Sequence, residues 1–257
     1  MQRLLTAALL IPIVLYAVLW GHPLVLLAML SAVALLCQYE YAGLVEHYGI
    51  QSPGPLAYGA GLLLLLLPGQ ELAVLVAVAL LGLTFATMGE DLAKGLPRAA
   101  ALLFGVVYIF GCCKFGVLLR EVNPHWLMFA LALNWIGDSA AYYVGRAFGR
   151  HKMAPRVSPG KTWEGAAASL VAALVFGVFY LPRFIPAVTP LVAGLIALAG
   201  SVAGQMGDLA ESALKRGAKV KDSSVLLPGH GGWLDRVDSI LFTMPVVYAF
   251  VRLWFRA

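Results

Sequence analysis

Asp208, Glu211, Ser212 and Lys215 recur at i, i+3, i+4 and i+7 in GDLAESALKR, so a helix carries them on one narrow face. They follow a long apolar run, where an ionisable group is costly unless partnered or functional. Arg216, Lys219, Lys221 and Asp222 come next, and then PGHGGWLDRVD. Pro228, Gly229, Gly231 and Gly232 let the backbone turn tightly and approach a ligand closely. Asp235 and Asp238 follow at i, i+3, where another helix is expected to begin. Carboxylates among phosphate-binding cations are the usual way of holding Mg2+, with substrate phosphates completing the shell. Asp208, Asp235 and Asp238 are therefore the candidate metal ligands. Helix capping is the competing reading of Asp238, and His230 either touches a phosphate or caps a turn.

A second polar stretch, RVSPGKTWEG, contains Gly-Lys-Thr. It is not a P-loop, because the Gly needed five residues before Gly160 is Pro155. It still offers Ser158, Lys161 and Thr162 at the start of a helix, a reasonable phosphate-binding set. Glu164 favours the helix dipole, and Trp163 is either an interfacial anchor or part of the site. Upstream, Asn134, Asp138 and Tyr142 are spaced by four. Asp138 either joins the site or makes a polar helix–helix contact. Lys114 either pairs with it or snorkels. Glu40, Glu46, Glu90 and Asp91 read as ordinary loop and helix-end charges.

The elements that must position these groups are membrane helices. Of 257 residues, 61% are hydrophobic and only 12% charged, against about a quarter charged in soluble domains, and mean hydropathy is +0.86. The net charge of +5 does not indicate nucleic-acid binding, since the basic residues lie in short loops between apolar runs. Cys37, Cys112 and Cys113 lack metal-ligand spacing and read as buried thiols. Apolar runs near 4–20, 23–41, 55–68, 71–88, 99–119, 125–146, 164–181, 187–210 and 237–255 predict an all-α polytopic membrane protein of about nine transmembrane helices. The run at 55–68 is short, and eight spans are the alternative. The N-terminal run lacks a convincing signal-peptide cleavage site and is read as a retained first span. Nine spans place both basic loops, with Arg3, Lys94 and Arg98, on the cytoplasmic side. Residues 1–130 then form an architectural, lipid-facing half and 131–257 the catalytic region. The simplest location is a bacterial inner membrane, with the site facing the cytoplasm.

The chain resembles the phosphatidate cytidylyltransferase (CDP-diacylglycerol synthase) family. Ser212, Leu214, Lys215, Arg216, Lys221, Asp222, Pro228, His230, Gly231, Gly232, Asp235, Arg236, Val237 and Asp238 fill its C-terminal signature in register. The stretches from Asp138 and from Ser158 also resemble it. Trp233 departs from a position usually aliphatic, Met or Phe, and Gly160 stands where Lys is common. The resemblance is specific over about 138–238 and architectural before that. It implies CTP and phosphatidate as substrates, Mg2+ with or without a second cation, and a homodimer. Asp208 and Asp235 would be the main metal ligands, supported by Asp138 and Asp238. Lys215, Arg216, Lys221 and Arg236 would neutralise phosphates. Ser158, Lys161, Thr162, Glu164, Ser212, Asp222, His230, Gly231 and Gly232 complete the expected substrate contacts. A CTP-dependent lipid kinase, a CDP-lipid synthase with another acceptor, and a polytopic transporter are the alternatives. A transporter predicts ionisable residues across the midplane in paired halves, whereas here they gather at one face.

Overall fold

A computed structural model describes residues 2–52, 54–87, 91–227, 229 and 231–255, leaving aside the side chains of 2–9, 86 and 87. All nine apolar runs fold as helix. These are α1 (Gln2–Leu19), α2 (Pro23–His47), α3 (Gly54–Leu66), α4 (Glu71–Thr87), α5 (Gly95–Gly105) continuing through a π-helical stretch (Val106–Gly111) into α6 (Cys112–Val122), α7 (Pro124–Phe148), α8 (Trp163–Phe184), α9 (Pro190–Gly217) and α10 (Leu234–Phe255). The loop after α7 is not helical. It folds into an antiparallel hairpin of β1 (Lys152–Ala154) and β2 (Ser158–Thr162), pairing Lys152 with Thr162 and Ala154 with Ser158.

The structure supports an all-α membrane protein but not the count of about nine spans. Among the described residues, five helical segments are long and apolar enough to cross a membrane: Pro23–His47, Leu92–Val122, Trp163–Phe184, Pro190–Gly217 and Leu234–Phe255. At 1.5 Å per residue, the 13 residues of α3 reach only about 20 Å, short of a hydrocarbon core about 30 Å thick. The 25-residue α7 is long enough, but its second half carries Asp138, Arg146 and two tyrosines.

The chain forms two compact units that interleave along the sequence. The first comprises Met1–Leu9, His22–Lys114 and Leu214–Arg236. In it α2 starts on His22, whose ring nitrogen accepts from Leu24 N–H, with Pro23 at the first helical position. The Phe110 ring lies against α3 where Gly61 has no side chain, since a Cβ there would sit 2.2 Å from the ring. Lys114 is buried and finds its partners within this unit. It is 6% exposed, donates to the carbonyls of Leu65 and Leu67 at 3.1 and 3.2 Å, and pairs with Glu71 at 3.4 Å. It thus satisfies carbonyls that the end of α3 leaves without helical partners.

The second unit comprises Leu10–Gly21, Phe115–Ala213 and Val237–Ala257. Arg120 closes the end of α1 by donating to the carbonyls of Val18 and Gly21. Asn123 caps α7, accepting from His125 N–H at 2.9 Å ahead of Pro124. Helices α7 and α8 pack through stacked Phe129 and Phe176 at one end and small residues at the other. Asn134, 7% exposed, donates to Thr243 and to the Ala130 carbonyl. Asn134 thus makes a polar contact between α7 and α10.

Candidate functional site

In the second unit, α7, α8, α9 and the hairpin enclose a pocket of about 660 Å³. Asp138, Tyr142 and Arg146 line it from α7, spaced by four and so stacked on one face. Lys152 and Lys161 come from the two hairpin strands, and Gln205 and Asp208 from α9. Asp208 pairs with Lys161 at 2.6 Å and accepts from the Ser212 hydroxyl at 3.3 Å. Its side chain is 33% exposed, which leaves it reachable from the pocket. Arg146 donates to the Tyr142 hydroxyl at 2.9 Å.

The floor of this pocket requires close backbone approach. Thr162 is the N-cap of α8, and its hydroxyl accepts from Gly165 N–H. A Cβ on Gly165 would stand 2.8 Å from the Ala141 carbonyl and 3.2 Å from the Thr162 hydroxyl. Gly165→Val is expected to cost about 1–3 kcal/mol through overpacking. Thermal unfolding in detergent checks this, and an unchanged transition would mean that α7 and α8 separate freely there.

The first unit gathers the C-terminal motif. Lys215 donates to Asp235 at 2.5 Å, with side chains 11% and 4% exposed. The other Asp235 oxygen accepts from the Ser223 N–H and hydroxyl at 3.0 and 2.9 Å and from Gly232 N–H at 2.7 Å. Gly231 has φ 78°, in the left-handed region, and a Cβ there would lie 2.8 Å from Asp235. Glu40, from α2, accepts from four donors of the same segment and is 2% exposed.

The family model described as the cytidylyltransferase family covers residues 1–254. The chain belongs to the cytidylyltransferase family. A phosphatidate cytidylyltransferase of Bacillus subtilis is 34% identical over 269 aligned residues, 98% of each chain. One from Staphylococcus aureus is 32% identical over 95% of this chain and 96% of its own. One from Haemophilus influenzae is 44% identical over 46% of this chain and 43% of its own.

In this family member the sequence-derived residues fall into two groups. Asp138, Lys161, Thr162 and Asp208 line the pocket of the second unit, to which Ser158 and Glu164 add no lining. Ser158 is a paired strand residue, and Glu164 binds back onto the hairpin, accepting from His151 N–H and pairing with its ring at 2.7 Å. Lys215, Asp235, Gly231 and Gly232 form the compact cluster of the first unit, while Arg216, Lys221, Asp222 and Arg236 are exposed beside it. Asp238 is 8% exposed and accepts from its neighbour Ser239 N–H at 2.6 Å. His230 lies outside the described residues.

Among the described residues no three His, Cys, Asp or Glu side chains make a metal-binding group. Mg2+ needs none, since it is commonly held by one or two carboxylates with phosphates and water. Two acids, Asp138 and Asp208, lining one cation-rich pocket fit that requirement. Tyr142, Arg146, Lys152 and Gln205 were not singled out as ligands from sequence, although the four-residue spacing that picked out Asp138 continues through Tyr142 to Arg146.

Proposed function

We propose that this chain transfers CMP from CTP to phosphatidate, giving CDP-diacylglycerol and pyrophosphate for phospholipid biosynthesis. The observation that carries this is the likeness to phosphatidate cytidylyltransferases over 98% of both chains. The cationic and acidic pocket residues supply chemistry suited to it.

A lipid phosphate oxygen attacks the α-phosphorus of CTP, the α–β phosphoanhydride bond breaks, and its electron pair leaves with pyrophosphate. The second pKa of a phosphomonoester is about 6, so the nucleophile is already ionised near neutral pH and needs no strong general base. The difficulty is bringing two anions together and stabilising the leaving group. Arg146, Lys152 and Lys161 of the pocket neutralise phosphate charge, and Lys215, Arg216, Lys221 and Arg236 do the same beside the second cluster. The N-terminus of α8, with Thr162, offers its helix dipole to a phosphate. Mg2+, when bound, would neutralise phosphate oxygens and orient the triphosphate. Asp208 and Asp138 of the pocket would hold it; the resemblance implies Asp235 and Asp238 as further ligands, with or without a second cation. The basic loops and the cytoplasmic origin of CTP support a bacterial inner-membrane location with the site facing the cytoplasm, and the resemblance supports a homodimer.

Purified protein in detergent with labelled CTP, phosphatidate and Mg2+ is expected to yield CDP-lipid and pyrophosphate, and neither without phosphatidate or Mg2+. Release of CDP with a phosphorylated lipid would instead make it a kinase.

A further inference from the structure

Glu40 sits near the end of α2, about 170 residues ahead of the motif that carries the chemistry, yet its carboxylate is filled from that motif. Oε1 accepts from the Ser224 hydroxyl at 2.6 Å and Trp233 N–H at 2.9 Å. Oε2 accepts from the Ser223 hydroxyl at 3.1 Å and Leu234 N–H at 2.7 Å. Leu234 opens α10, so the carboxylate satisfies an N–H that the helix start leaves without an intrahelical partner. A negative charge is also electrostatically favoured there.

The donors of Glu40 are interleaved with those of Asp235. The Ser223 hydroxyl has one proton and lies within hydrogen-bond distance of both carboxylates. Gly232 donates to Asp235, while a Cβ on it would stand 2.6 Å from Glu40. The end of α2 also holds the other side of this segment. The Tyr48 hydroxyl donates to the Leu214 carbonyl at 2.7 Å and occupies the space a side chain on Gly217 would need. One helix end thus pins both the exit of α9 and the entrance of α10.

We propose that Glu40 is a positioning residue for the reaction, fixing the Ser223–Leu234 segment so that Asp235 and Lys215 keep their geometry. This rests on the reading of Asp235 as a ligand of the metal–phosphate assembly. A carboxylate suits the site because it faces three donors of its own and a fourth, the Ser223 hydroxyl, shared with Asp235. The amide of Gln offers one acceptor oxygen and turns its own N–H donors toward two of the four.

Hydrogen bonds to a charged group contribute enough that Glu40→Gln is expected to lower kcat/KM about 10–100-fold. The half-activating Mg2+ concentration should rise severalfold, and trypsin should cut faster at Lys219 and Lys221. Glu40→Asp should recover part of the rate, since it keeps the charge and loses only reach. Wild-type kcat/KM, Mg2+ response and trypsin pattern in Glu40→Gln overturn the proposal. So does a fall in folded yield whose surviving protein has wild-type kinetics. If Glu40→Gln does not fold, Ser224→Ala removes a single donor, and a severalfold loss in the same direction is expected. Wild-type kinetics there overturn the proposal equally. Asp235→Asn separates the two readings. An active Asp235→Asn overturns the role of Asp235, whereas an inactive one beside a fully active Glu40→Gln overturns the role of Glu40 alone.

Discussion

Asp208→Asn is expected to lower turnover by about 10²–10³-fold while leaving the protein folded. The substitution keeps the side-chain volume and the Ser212 contact but removes the negative charge from the pocket. Asp208 is partly exposed, and its ion pair with Lys161 spans helix and hairpin at the pocket wall. Such pairs contribute about 0–1 kcal/mol to stability, so elution profile and melting temperature should stay near wild type. Substrate binding by the remaining cations should persist, placing the loss in kcat more than in KM for CTP. A purified, folded Asp208→Asn enzyme with normal kcat would remove Asp208 from the metal and phosphate assembly.

The second large effect is at Lys215. Its pair with Asp235 is nearly closed to solvent, and Asp235 carries three further donors. Lys215→Met strands a desolvated carboxylate, a change that costs about 3–5 kcal/mol when one partner of a buried pair is lost. Both activity and order of the 217–233 segment should fail, and limited proteolysis should accelerate within that segment. Lys215→Met combined with Asp235→Asn removes the stranded charge. The double variant should regain protease resistance without regaining turnover. Recovery of turnover would mean that the pair serves only the fold.

Helix positions were legible because each apolar run is long and bounded by proline, glycine or charge. The count of spans was not. The 13 residues of α3 are too few to reach across a bilayer, a shortness the run at 55–68 already showed, but hydropathy does not reveal where the other helices fall short. The hairpin was hidden because Ser-Pro-Gly-Lys-Thr lacks the apolar–polar alternation of a strand and holds a single β-branched residue, Thr162. At the site, Asp208, Lys161 and Asp138 were recoverable because acids and bases beside apolar runs need a reason to be there. Glu40 obeys the same rule, following LLCQY within an apolar helix, but its donors lie 183 to 194 residues further along. Spacing arguments operate over a turn or two of helix and carry no information at that range.

The six π-helical residues at Val106–Gly111 set an angular phase. A π turn holds more residues than an α turn, so every side chain beyond it is offset around the helix axis relative to an uninterrupted α-helix. Were these same six residues α-helical instead, the remainder of the helix would be rotated by about 100°. Lys114, three residues past the stretch, would then turn from the Leu65 and Leu67 carbonyls and Glu71 toward another side of the helix. The irregular turn is thus a phase adjustment that aims a single ammonium at the end of a neighbouring helix.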